Sequence, residues 1–584
     1  MATVSEYIFD FLSKKGCKTV FMVSGSSAMW LTDALKRNKE VNVICNHHEQ
    51  AAAMSADACG RLSAIPGVAL VTIGPGATNA ITGVAEAYVD SSPMIVLSGQ
   101  ASSKLLKYEI ETGIRQHGTQ SINLEPIVKP ITKYFAAVME PKDIRYHMEK
   151  AYYEAISGRP GPVWIDVPVD VQNKQIPSED EMEGFQRELN GKKQENISKD
   201  RLNTVIALLK KAKKPLILTG YGMRTSGAVS AFREFLNKYN IPVVTSRGGI
   251  DVIDSCSKLF VGRPGGYGDR SSHFAIQRCD LLIILGSRLS VSTTGYYPEK
   301  FGQEATKIMV DIDEKELAKQ DVPIDIKLNM DVKEFVSQLS QKIEATNPLA
   351  NYDEWVSECY ELREKYPNVI PKYADEKPLN SYYLTSVLTK HAAKDAIVVV
   401  DTGSVCNIVS QSWEIKEEQR YLISGGLSCM GFWASAIGAS TMASVIAITG
   451  DGSAQMNIQE FATMKFNNLP IKLFIYNNNG YMLIRHNQHN YMSDRFLGVG
   501  PDSGLQTPDF CKVANAYGIK SVRITENDDI HEKIAEVLDS EGPVICEVMV
   551  QEFGDIVPRI ASKVMPDGSL KAAEFDDLYP FLNE

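Results

Sequence analysis

The run Val445-Ile446-Ala447-Ile448-Thr449-Gly450-Asp451-Gly452-Ser453, followed by Ile471 to Tyr476 and then Asn477-Asn478-Asn479-Gly480, decides the reading of this chain. Val445 to Thr449 are apolar or β-branched and predict a buried strand that runs straight into a Gly-Asp-Gly turn. A helix is expected from about Asn457 to Asn467, and a second strand, Ile471 to Tyr476, delivers the asparagines. Strand, helix and strand make a βαβ unit, which puts both motifs at the carboxyl ends of parallel strands, where open α/β sheets bind ligands. A carboxylate and an amide oxygen there suit a hard cation such as Mg²⁺, which keeps oxygen ligands and commonly bridges to phosphates. The glycines let backbone approach those phosphates closely. A Gly-Asp-Gly turn alone is ordinary loop chemistry. The weight lies on both halves together, with Asp451 and Asn478 27 residues apart.

Bulk properties frame that site within a large globular protein. At 584 residues the chain exceeds what one core usually supports, so two to four domains are expected. Apolar residues make up 44% and charged residues 23%, ordinary for a folded domain. A net charge of −11 argues against a nucleic-acid-binding surface. No apolar run reaches the roughly 18 residues of a membrane span. The first residues, MATVSEYIFDFLSKKG, have the spacing of an amphipathic helix and lack the basic start and apolar stretch of a signal peptide. Ten scattered cysteines without a C-x-x-C pair suit reduced thiols, and the cytoplasm is the expected compartment.

Three α/β regions follow from the alternation of strands and helices. The first covers residues 1–175, with strands expected at Val41 to Cys45, Val68 to Ile73, Met94 to Ser98 and Val163 to Val167. A charged stretch, 176–200, reads as a linker. A central region, 201–345, has strands at Pro215 to Thr219, Pro242 to Ser246, Leu281 to Leu285 and Ile308 to Ile312. A connection, 346–378, leads to the third region, 379–552, which holds the Asp-Asn motif; 553–584 form a tail without clear period. The expected fold is α/β with three doubly wound, mainly parallel sheets. Asn46-His47-His48-Glu49 follows the strand ending at Cys45, so Glu49 opens a small-residue helix at a strand's carboxyl end. By itself it reads as a carboxylate in a first helical turn, favourable to the helix dipole.

On the Asp451/Asn478 motif and the His48-Glu49 pair, the chain resembles the thiamine-diphosphate (ThDP) enzymes of the acetolactate synthase type. The resemblance implies Asp451, Asn478 and the backbone carbonyl of Gly480 as Mg²⁺ ligands, within a diphosphate-binding segment Gly450, Asp451, Gly452 and Ser453 that continues to Tyr481 and Met482. It implies Glu49 as the acid that bonds the cofactor's pyrimidine, with His48 orienting substrate. Further matches are Gly25, the turn Gly74 to Asn79 with Thr78 and Asn79, the turn carrying Gly403 and Ser404, and Ser424 to Gly431, where Ser428 and Met430 would lie against the cofactor. The first and third regions thereby become the pyrimidine-binding and diphosphate-binding domains. Because Glu49 and Asp451 lie in different domains, which in that family come from two subunits, a homodimer or a dimer of dimers is implied.

Two regions depart from the family. In the central region Gly222, Arg288 and Asp311 match segments that hold FAD in acetolactate synthases, but Leu289-Ser290-Val291 replace the acidic residues that usually follow the arginine. An FAD site and a domain that keeps the fold without nucleotide both stay open. Near the substrate, His486 stands where acetolactate synthases have Trp, and Thr119-Gln120-Ser121 replaces Phe-Gln-Glu, keeping only Gln120. Losing two aromatics makes the acceptor site wider and more polar, and polar sites select by hydrogen bonds. The expected activity is decarboxylation of pyruvate or a similar 2-keto acid and transfer of the two-carbon unit to a ketone, with a nucleotide-linked keto-sugar, as in the YerE type of yersiniose biosynthesis, as one acceptor. The alternatives are acetolactate synthase proper, a ThDP-dependent lyase or cyclic diketone hydrolase, a 2-keto acid decarboxylase and a non-catalytic homologue. A Rossmann dehydrogenase lacks its G-x-G-x-x-G signal.

Overall fold

A computed structural model describes residues 2–186, 199–345, 349–564 and 570–582. Parts of the expected linker, connection and tail (187–198, 346–348, 565–569 and 583–584) lie outside the described residues. Apolar strands buried on both faces need helices on both sides, which is the condition for parallel sheets; Met94–Gln100 and Pro162–Pro168, for example, are buried at every position. Three six-stranded, all-parallel sheets result.

The first sheet holds β1 (Thr19–Met22), β2 (Asn42–Cys45), β3 (Gly67–Val71), β4 (Met94–Gln100), β5 (Tyr134–Ala137) and β6 (Pro162–Pro168) in the order β2-β1-β3-β4-β6-β5. The central sheet holds β7 (Pro215–Thr219), β8 (Val243–Thr245), β9 (Phe260–Gly262), β10 (Leu281–Leu285), β11 (Thr306–Asp311) and β12 (Ile326–Asn329), ordered β12-β11-β10-β7-β8-β9. The third holds β13 (Ile397–Val400), β14 (Arg420–Ile423), β15 (Val445–Gly450), β16 (Ile471–Asn477), β17 (Lys520–Ile524) and β18 (Val544–Met549), ordered β14-β13-β15-β16-β18-β17. The first and third orders are the same once renumbered, so the end domains repeat one topology. The central order is that of a dinucleotide-binding fold.

The two end domains share one apolar core. Helix Glu49–Ser63 packs on helix Ser435–Ala439, and small residues permit the approach: a Cβ at Gly438 would lie 1.9 Å from the Ser55 carbonyl oxygen.

Some sequence expectations need correction. The helix expected from Asn457 starts at Asp451 itself, runs to Gln455, and resumes over Glu460–Phe466. Gly450 is its N-cap residue, so the turn glycine is already the helix start. Short strands such as β1, β5 and β9, of three or four residues, carry too few positions for a periodic signal. The tail is docked: Phe575 stacks on His273 of the central domain at 4.1 Å, and Arg270 donates to the Leu578 carbonyl. Burial drops the pKa of that His273 to about 4. No helix among the described residues is long and apolar enough to cross a membrane.

Candidate active site

Each doubly wound sheet has a point where the strand order reverses, and ligands bind in the crevice there. In the third sheet it lies between β13 and β15. Asp451, one residue past β15, is buried, and its carboxylate accepts the amides of Gly480 (2.7 Å) and Gly452 (3.0 Å). Burial pushes the Asp451 pKa up to about 7 despite those two donors. At the end of β16, the Asn477 side chain takes the Asn479 amide (3.0 Å) and donates to Glu547 on β18 (2.7 Å), fixing the loop to the sheet. The buried Oδ1 of Asn478 has no hydrogen-bond partner. An orphaned amide oxygen and a carboxylate from one βαβ unit are an oxygen donor set that fits Mg²⁺.

The surroundings of that pair are tight. A Cβ at Gly452 would lie 2.1 Å from the Tyr481 ring, and one at Gly480, whose φ is +140°, would lie 2.0 Å from the Val499 carbonyl oxygen. Met482, which follows Tyr481, is buried beside Tyr382, Ile408 and Ile556. Arg485, next to His486, donates to the carbonyls of Asn478 (3.3 Å), Asn479 (2.9 Å) and Val499 (3.0 Å), and so braces the asparagine loop. On the β13 side, Gly403 (φ +85°) caps helix Ser404–Ser412. Asp401 beside it accepts the Thr402 and Phe432 amides and the Thr449 hydroxyl, so it ties this turn to the segment after Met430. Ser428 is exposed with φ +57°, and Met430 is half-buried.

In the first sheet the reversal lies between β1 and β3. Gly25, past β1, packs on Thr72, past β3, where a Cβ would come within 2.4 Å. Glu49 starts its helix with His48 as N-cap, and the His48 ring nitrogen accepts the Gln50 amide (3.1 Å). That bond commits Nδ1 of His48, expected to face substrate, to the cap. Glu49 Oε2 accepts from Asn79 (3.0 Å), and a Cβ at Gly76 would sit 3.4 Å from Glu49 Oε1. Gln120, at φ +62° and exposed, lays its carbonyl on the same turn, 2.4 Å from where a Gly74 Cβ would be. Glu49, Asn79, the Gly74–Gly76 turn and Gln120 are therefore brought together. Thr78 folds back on the Pro75 carbonyl instead (3.3 Å). Glu109 organises the Gln120 loop, accepting the amides of His117 (2.6 Å) and Gly118 (2.7 Å) and the Ser121 hydroxyl.

His486, expected at the acceptor side, lies on helix Met482–Met492. Its ring stacks on Phe553 (4.3 Å) and its Nε2 meets the Gly554 carbonyl (3.0 Å), so it anchors the start of the tail. Spacing could not reveal this, because the partner is 68 residues on.

At the reversal of the central sheet, Gly222, Arg288 and Asp311 line one cavity, joined by residues of both end domains such as Asp90 and Arg420. Arg288 donates to the Val89 carbonyl (3.3 Å) and lies 3.8 Å from Asp90. Burial pushes the Asp311 pKa up to about 6. Elsewhere, Asp509, Cys511 and Glu547 converge, but Arg523 bridges both carboxylates at 2.6 Å.

Comparison with known proteins agrees with this layout. Residues 2–127, 202–339 and 401–548 match, in order, the N-terminal TPP binding domain, the central domain and the C-terminal TPP binding domain of thiamine pyrophosphate enzymes. A probable acetolactate synthase large subunit of Methanocaldococcus jannaschii is 32% identical over 593 residues, covering 98% of each chain. The acetolactate synthase large subunit of Lactococcus lactis is 31% identical over 576 residues, covering 96% of this chain and 95% of its own. The isozyme 1 large subunit of Escherichia coli is 30% identical over 562 residues, covering 96% of both.

Proposed function

Because the chain belongs to the thiamine diphosphate-dependent enzymes of the acetolactate synthase type, we propose that it is a carboligase. It decarboxylates pyruvate or a similar 2-keto acid and passes the two-carbon unit to a ketone acceptor. The observation that carries the catalytic reading is the buried, unbonded Asn478 Oδ1 in the same βαβ unit as the Asp451 carboxylate. Asp451, Asn478 and the Gly480 carbonyl would hold Mg²⁺, and through it the cofactor's diphosphate. When bound, the cofactor supplies the electron sink for loss of carbon dioxide.

The chain's own residues prepare that chemistry. Glu49 would offer its carboxyl group to the pyrimidine ring of the bound cofactor, and Asn79, at 3.0 Å, orients that group. Met430, half-buried in the segment after β14, would support the cofactor. With His486 turned to Phe553, the acceptor side is left to the polar Thr119-Gln120-Ser121 loop, which favours a hydroxyl-rich ketone such as a nucleotide-linked keto-sugar over a second pyruvate. Acetolactate synthase proper is the second reading, supported by the full-length similarity to the three synthase subunits. Incubating the protein with ThDP, Mg²⁺ and pyruvate and measuring carbon dioxide tests the donor. Mass analysis of products with pyruvate alone and with added keto-sugars separates the two acceptors, and acetolactate as the sole product would overturn the sugar reading.

Two further features belong to this proposal. The active enzyme is a homodimer or larger, and full activity in a monomer, judged by sedimentation, would refute it. FAD is a candidate for the central cavity, held by Gly222, Arg288 and Asp311, and purified protein without flavin absorbance would remove it.

A further inference from the structure

The repeated topology of the end domains extends to a pair of buried glutamates that no motif marks. Asn46, the first residue past β2, donates its side-chain amide to Glu460 (3.0 Å), on the helix that follows β15 of the other end domain. Ser424, the first residue past β14, donates its hydroxyl to Glu86 (2.7 Å), on the helix that follows β3. Renumbered by topology these are one arrangement made twice: the loop after the second strand is held by a glutamate from the helix after the third strand of the opposite domain. Glu86 has Arg61 beside it at 3.3 Å. No ion pair is recorded for Glu460 among the described residues; its carboxylate is satisfied by hydrogen bonds.

Those bonds converge on the approach to Glu49. Glu460 Oε1 accepts the backbone amides of His47 (2.8 Å) and His48 (3.0 Å), while Oε2 takes Asn46 and the Thr463 hydroxyl (2.7 Å). The His47 ring adds a bond to Thr463 (3.0 Å). His48 is the N-cap of the helix that begins at Glu49, so the residue directly before Glu49 has its amide fixed from another domain. Glu460 is fully buried and lies nine residues after Asp451. One short segment therefore carries both a proposed metal ligand and the group that fixes the helix start bearing Glu49.

We propose that Glu460 is a positioning residue that sets the angle at which Glu49 is presented to the cofactor. The inference rests on the reading of Glu49 given under Proposed function. Bonds to a buried carboxylate are the stronger kind, and a displacement of about 1 Å at a reacting group costs up to about 10²-fold in rate.

The test compares Glu460→Ala, Glu460→Gln and wild type as full chains. Gln keeps an acceptor for the two histidine amides, and its NH₂ can face Asn46 once that side chain flips, satisfying the Asn46 Oδ1 that is otherwise without a partner. Hydrogen exchange on cofactor-free protein should show His47 and His48 amide protection falling about 10-fold in Glu460→Ala and returning to within about 3-fold in Glu460→Gln, with β1 and β3 unchanged. With ThDP, Mg²⁺ and keto acid, kcat should fall at least about 10-fold in Glu460→Ala with KM within about 2-fold, and recover in Glu460→Gln. If Glu460→Ala does not fold, Glu460→Asp, which withdraws the acceptor by one carbon, should shift both readouts in the same direction. Unchanged protection, or equal kcat losses in the Ala and Gln variants, would overturn the proposal. Glu49→Gln separates the two claims: full activity there refutes the role of Glu49, whereas an inactive Glu49→Gln beside a normal Glu460→Ala refutes only the positioning.

Discussion

The two end domains share a strand order and part of their polar wiring, yet they present different chemistry. In each, a side-chain amide at the end of the fourth strand donates to an acid on the sixth: Gln100 to Asp166 (2.9 Å), and Asn477 to Glu547 (2.7 Å). In the third sheet that acid is also paired with Arg523 at 2.6 Å. In the first, Asp166 is wholly buried, with the Ser98 hydroxyl and Gln100 as its side-chain partners among the described residues, and burial pushes its pKa up to about 7. At the order reversal the third sheet offers Asp451, with Asn478 one strand away past β16, whereas the first offers small residues, Gly25 and Thr72, with its acid, Glu49, one strand away on the other side, past β2. Topology provides the crevice in both cases, and the residues at the strand ends decide what it holds.

The comparison can be broken most decisively at Glu49. Glu49→Gln keeps the shape and the Asn79 contact but removes the proton, so carbon dioxide release should drop about 10²- to 10⁴-fold, the range for lost acid–base catalysis. A drop below 10-fold would place the acid elsewhere. Asp451→Ala should lower activity about 10²-fold at limiting Mg²⁺, with partial recovery as Mg²⁺ is raised. Glu49→Gln should show no such recovery, and titrating the metal against rate in both variants reads the contrast between a charge-transfer end and an anchoring end.

Smaller effects test packing. Gly452→Ala sets a methyl 2.1 Å from the Tyr481 ring, and overpacking of this kind costs about 1–3 kcal/mol. Denaturant unfolding should register it together with weaker ThDP binding. The smallest effect concerns the unpaired acid of the first sheet. With a folded pKa near 7 against an ordinary value of 3.8, Asp166 holds a proton when folded that the unfolded chain releases. Its contribution to stability is complete below about pH 4 and is lost as pH rises through 7. The melting temperature of Asp166→Asn minus that of wild type should therefore climb by a few °C between pH 4 and pH 7 and then level off. A flat difference would mean that Asp166 is ionised in the folded protein.

Legibility followed the range of the interactions. The Asp451 turn, the strand delivering Asn478 and the helix opened by Glu49 each lie within a continuous stretch, and hydrophobic patterning with glycine placement exposed all three. What the rings of His48 and His486 meet is not legible in the sequence, because it depends on where folding places their ring nitrogens. The His48 partner is a local cap and that of His486 is a carbonyl in the tail, and residue type identifies neither. The bracing role of Arg485 and the part played by Glu109 are not legible in the sequence, because both act largely on backbone groups, which leave no pattern of side chains.

By itself the sequence determined the three α/β regions, the Asp-Asn motif and the glutamate after β2, since parallel strands must be apolar along their length and must turn where glycine or a capping residue allows. Only the tertiary structure decided that the end domains repeat one topology and share one core. It also decided that Glu460, 411 residues beyond Glu49 in the chain, holds the amides that precede it. The reason is physical: a buried carboxylate must find donors wherever folding brings them, and two of the donors here are backbone amides from another domain, identical in every sequence.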